Sequence, residues 1–186
     1  MNKNSINRDQ AILILNNMLS NKSLIIHSIS VALVMEYYSK ILKENKDIFY
    51  ITGLLHDADY EKYPNEHPNK IVKKLKEINE PEIAYAISCH YSKWGIKTKS
   101  TLDKYLLACD ELTGFIVACS KVRPNGITDL KPKSVKKSLK KKSFAASVDR
   151  EEIMKGIKLI NIDLDEHISN IISVLKDNAD ILSLKT

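Results

Sequence analysis

The run Phe49-Tyr-Ile-Thr-Gly-Leu-Leu55 leads without a break into His56-Asp57, with Asp59 two residues further on. A stretch this apolar belongs in a protein interior. Carrying an ionisable pair in at its end costs free energy unless the pair is hydrogen-bonded, ion-paired or bound to a metal. Whatever this chain folds into must bring partners to His56 and Asp57.

The spacing of apolar residues narrows the fold. They recur every three or four positions rather than alternating, and only five Gly and five Pro interrupt them, which predicts an all-α protein without a sheet. At 186 residues, 44% hydrophobic and 28% charged, the chain reads as one globular domain, residues 1–186.

The expected helices run from Asp9 to Leu19, from Ser23 to Leu42 with His27 inside, and from Ile48 to about His56 with Asp47 as cap. Next come Glu66 to Ile78 with His67 in the first turn, and Glu82 to about His90 behind Pro81. Ser100-x-x-Asp103 opens a long helix to about Val122, Asp149-x-x-Glu152 starts another to about Ile160, and Asp163 to Leu182 closes the chain.

The polar start Met1–Asp9 lacks the pattern of a secretory signal, and no segment is expected to supply the roughly 20 apolar residues of a membrane span. Cys89, Cys109 and Cys119 are odd in number and lack paired spacing, so they read as buried thiols in a reducing compartment, the cytoplasm by default. The net charge of +6 is local: seven lysines between Lys131 and Lys142 exceed it, leaving the remainder near neutral. That remainder argues against a nucleic-acid partner, as does the lack of interleaved aromatics in the lysine run, which reads as a solvated helix face.

Three predicted core helices each carry an ionisable group in apolar surroundings: His27, His56 with Asp57, and Asp110. Two imidazoles and two carboxylates form a mixed nitrogen and oxygen set suited to one or two divalent ions such as Mn, Fe, Co, Ni or Zn. Taken singly, His27 reads first as a hydrogen-bonded core residue and Asp110 equally as a structural carboxylate or a ligand; it is the ordered set that points to a metal.

That order, with Leu54-Leu-His-Asp57 and Ala108-Cys-Asp-Glu-Leu-Thr-Gly114, resembles the HD-domain superfamily of metal-dependent phosphohydrolases over roughly residues 20–125. The resemblance implies an HD-type helical bundle with additional C-terminal helices, residues 126–186, packed on it. It implies hydrolysis of a phosphorylated small molecule, such as a nucleotide, by metal-activated water. By matching positions, His27, His56, Asp57 and Asp110 would be metal ligands and Asp57 catalytic. His67 and His90 fall where two-metal HD proteins place two more histidines, so they would hold a second ion, bridged by Asp57, or contact the substrate phosphate. The stretch Val122-Arg-Pro124, the lysine run, Ser143-Phe-Ala-Ala-Ser147 and Asp149-Arg-Glu-Glu152 extends the likeness to a bacterial group of HD hydrolases.

Two departures stand out. Many relatives read His-Asp-Ile-Gly, whereas this chain reads His56-Asp-Ala-Asp59, and the Gly-Tyr-Pro of the cyclic-di-GMP branch is replaced by Lys62-Tyr-Pro64, which disfavours that branch. Asp59 is then a catalytic candidate that orients water or relays a proton, or a structural cap of the loop. Arg123 is a candidate phosphate clamp or a plain surface arginine. The rival to catalysis is an HD-type sensing or interaction domain; the intact ligand set argues against it.

Overall fold

The computed structural model describes residues 5–185; Met1–Asn4, the first four residues of the polar start noted above, and Thr186 lie outside the described residues. Nine α-helices and no strand are found among the described residues, so the protein is all-α. In order they are α1 (Arg8–Met18), α2 (Lys22–Leu42), α3 (Lys46–Leu55), α4 (Asn69–Glu77), α5 (Pro81–His90), α6 (Thr101–Lys121), α7 (Pro132–Leu139), α8 (Arg150–Ile160) and α9 (Leu164–Asp177). They form two compact units, residues 1–106 and 107–186, divided inside α6.

The first unit is built around α3. Phe49, Ile51, Thr52, Gly53, Leu54 and Leu55 are all buried, and α3 packs against α1, α2 and α5. Burying the Phe49, Ile51, Leu54 and Leu55 side chains contributes about 1.5–3 kcal/mol each. The α2–α3 crossing is close because Gly53 has no side chain: a Cβ there would lie 2.8 Å from the Ala32 Cα and 2.9 Å from its amide nitrogen. The α3 cap is Asn45 rather than the expected Asp47. Its side chain accepts from the Asp47 amide at 2.9 Å and the Ile48 amide at 3.2 Å, satisfying donors that the helix start leaves open.

By length and composition alone, α2 could cross a membrane, a property the sequence reading denied to every segment. Its Val31, Ala32, Val34, Met35 and Tyr38 are instead core residues. Glu61 accepts from the Ser20 amide at 2.7 Å and the Asn21 amide at 2.9 Å, and the Lys62 ammonium donates to the Asn17 carbonyl at 2.7 Å. These bonds fix the loop after α3 to the α1–α2 turn.

In the second unit, Gly156 of α8 repeats the glycine device, with a Cβ position 2.6 Å from the Ala108 Cα. His167 of α9 is fully buried and donates from Nε2 to the Ala108 carbonyl at 3.0 Å. Burial lowers its pKa, only partly offset by that hydrogen bond. Arg150 donates to the carbonyls of Ala145 and Val148, both at 2.6 Å, and to that of Phe144, so one guanidinium holds the loop after the lysine run.

Candidate metal centre

All five residues that converge in the structure lie in the first unit. His27 comes from α2, His56 is the residue that ends α3, Asp57 and His67 stand in the following loop, and His90 is the last residue of α5. The two oxygens of Asp57 face different pairs of imidazoles. Oδ2 lies 3.4 Å from His56 Nε2 and 3.8 Å from His27 Nε2; Oδ1 lies 3.3 Å from His67 Nε2 and 3.5 Å from His90 Nε2. The result is two three-donor groups, His27–His56–Asp57 and Asp57–His67–His90, that share one carboxylate.

The local chain sets the imidazole tautomers. His56 Nδ1 is 2.7 Å from the Gly53 carbonyl, His90 Nδ1 is 2.5 Å from the Ile87 carbonyl, and His67 Nδ1 is 2.6 Å from Asp59 Oδ1. Carbonyl and carboxylate oxygens only accept, so each Nδ1 carries the hydrogen and each Nε2 of a neutral ring presents a lone pair to the cluster. Yet His67 Nε2 and His90 Nε2 stand 3.2 Å apart, and so do His27 Nε2 and His56 Nε2. Where two Nε2 lone pairs face each other, this spacing is repulsive, and a cation between them relieves it. The residues present therefore fit a divalent metal, and their nitrogen and oxygen donors suit a borderline transition ion.

Burial pushes the Asp57 carboxyl up, but the adjoining His56, then His90, outweigh it and hold the carboxyl well below the usual range. Asp57 is an anion. His56 is fully buried, whereas the Asp57 and His27 side chains are each 20% exposed, so the centre opens to solvent on that side.

Asp59 is wholly buried, and both its oxygens are engaged. Oδ1 accepts from His67 Nδ1, and Oδ2 accepts from the amides of Lys70 at 2.9 Å and Ile71 at 3.0 Å, in the first turn of α4. Of the two roles open to it in the sequence, its contacts are those of a cap that also holds a histidine. His67 was expected in the first turn of a helix starting at Glu66. That helix starts instead at Asn69, after a cis His67–Pro68 bond, and His67 lies buried before it, its amide bonded to the Tyr63 carbonyl at 2.8 Å.

Asp110 sits in the part of α6 that belongs to the second unit and is half-buried. Arg123 follows α6 and is ion-paired: its Nε and Nη2 donate to Asp129 Oδ1 at 2.9 and 2.8 Å. All three cysteines are free and buried. Burial, then the charge of Asp103, pushes the Cys89 thiol up to about 11, and burial raises Cys109 well above its ordinary value, so neither is a ready thiolate.

Sequence reasoning missed the buried Glu80, which accepts from the Ile6 amide at 2.6 Å, and the Asn7–Gln10 capping box of α1. For the capping box, Asn three residues ahead of Gln was a usable signal.

Residues 24–114 match the family model of the HD domain. The chain carries an HD domain over those residues and belongs to the HD-domain superfamily. Neither a curated protein nor a solved structure matches it.

Proposed function

We propose that the chain is a metal-dependent phosphohydrolase acting on a phosphorylated small molecule, with a nucleotide as the favoured class. The carrying observation is the pair of three-donor groups meeting on the two oxygens of Asp57. The HD family supports a divalent metal and hydrolysis in general.

In this reading His27 and His56 would hold one ion and His67 and His90 a second, with Asp57 offering one carboxylate oxygen to each group. Asp110 is a ligand candidate by its match to the family order alone. Bound divalent ions supply an acidified water and positive charge for the phosphoryl oxygens. The chain's own part is positioning: Asp59 keeps the His67 lone pair directed at Asp57, the Gly53 carbonyl does so for His56, and the exposed edge of Asp57 and His27 admits the phosphate. A phosphate contact at Arg123 would have to compete with Asp129. A cytoplasmic setting belongs to the same proposal.

The test is elemental analysis of protein purified without chelator, followed by phosphatase and phosphodiesterase panels under Mn, Co and Ni. Asp57→Ala is expected to lose bound metal and at least about a hundredfold in turnover, since it removes the shared ligand. Full activity in that variant, or in chelator-stripped protein, would sink the reading.

A further inference from the structure

The loop joining α5 to α6, residues 91–99, reads Tyr-Ser-Lys-Trp-Gly-Ile-Lys-Thr-Lys: aromatic and basic residues interleaved, without an acid. It starts directly after His90. The Tyr91 ring stands edge-to-face with His67, centroids 5.5 Å apart, and Trp94 stands edge-to-face with Tyr91 at 6.1 Å. Lys93 Nζ lies 5.5 Å from the Tyr91 ring centre. The loop is firmly held: a 3-10 turn over Ser92–Trp94 closes it at one end. At the other end the Tyr85 hydroxyl donates to the Lys97 carbonyl at 2.9 Å, and Asp103 accepts from the Lys99 and Ser100 amides, both at 2.9 Å.

Trp94 is the only tryptophan in the chain, and it is half-buried on this hydrogen-bonded turn rather than enclosed in the core. An edge-to-face contact with Tyr91 occupies only part of an indole, and a half-buried ring keeps surface for a planar ligand. A row of rings leading outward from His67, with an exposed lysine beside it, combines what base stacking and phosphate attraction require.

Resting on the phosphohydrolase reading, we propose that Tyr91, Lys93 and Trp94 form the recognition platform for a nucleoside phosphate. The base stacks on Trp94, Lys93 faces the non-reacting phosphate or sugar edge, and the reacting phosphoryl group lies at the Asp57 cluster. Tyr91 spaces the two ends, one ring from His67 and one ring from Trp94.

The single tryptophan makes the test direct. AMP and ribose 5-phosphate differ only by the base, so each is titrated into the purified protein while Trp94 fluorescence is followed, and each is assayed for hydrolysis. AMP is expected to quench Trp94 and ribose 5-phosphate to leave it unchanged. Trp94→Ala is expected to raise KM for AMP about tenfold or more, the loss of one base stack, with kcat, metal content and the KM for ribose 5-phosphate unchanged. Trp94→Phe, which keeps a stacking face, restores most of the affinity and controls for folding.

Hydrolysis of both compounds without quenching or preference for AMP overturns the platform and leaves the phosphohydrolase reading standing. Quenching by AMP with neither compound hydrolysed supports the platform and counts against that reading. Tighter, salt-sensitive quenching by oligothymidylate than by AMP assigns the loop to nucleic acid and also overturns the proposal.

Discussion

The two donor groups that share Asp57 are built by different means. In the first, His27 and His56 ride on α2 and α3, two helices whose backbones touch at Gly53 and Ala32. In the second, His67 stands in a loop and keeps its place through Asp59, which also caps α4. One half of the centre is held by core packing and the other by a buried carboxylate. The difference teaches that the halves should fail separately and for different reasons.

Asp59→Asn breaks the second half with the fold preserved. The asparagine oxygen can still cap α4, but its amide would donate to His67 Nδ1 and move the imidazole hydrogen to Nε2, turning the lone pair away from Asp57. About a 10- to 100-fold loss of affinity for one ion of two is expected, with the melting temperature nearly unchanged, read by metal titration and thermal unfolding. Unaltered binding of both ions would remove Asp59 from this role.

Gly53→Ala attacks the first half through packing. The added methyl meets the Ala32 backbone, so the crossing must open, at a cost of about 1–3 kcal/mol. Denaturant unfolding should record that loss, and the ion held by His27 and His56 should weaken more than the other. Equal weakening of both would show the halves to be mechanically coupled.

The smallest effect is a control in the second unit. Burial lowers the pKa of His167, so below its ordinary value of 6.5 the unfolded chain binds a proton that the folded chain resists. Stability is then full above about pH 6.5 and falls as the pH drops through and below that value. His167→Gln, compared by unfolding at pH 7.5 and 5.5, should flatten this dependence without changing metal content. An unchanged slope would place the acid sensitivity elsewhere.

The first donor group was legible in the sequence because His27 and His56 interrupt apolar helical runs, a local pattern. The second was not. His67 sits in a turn with no periodicity to mark it, and Asp59 acts on amides eleven and twelve residues later, at Lys70 and Ile71. Helix type followed from spacing, while the choice of cap did not. Asn45 and Asp47 are both good cap residues, and the packing of α3 decides between them. The division at residues 106 and 107 had no sequence mark at all, since it falls within one continuous helix.

Gly53 also bears on how such a chain can diverge. It is not itself a donor of the centre, yet its missing side chain sets the α2–α3 crossing and its carbonyl fixes the His56 tautomer. Any point substitution at this position adds atoms where the Ala32 backbone already stands. A descendant could keep every histidine and aspartate of the centre and still lose the first donor group through this one position, so an inventory of ligands would score it as intact when it is not.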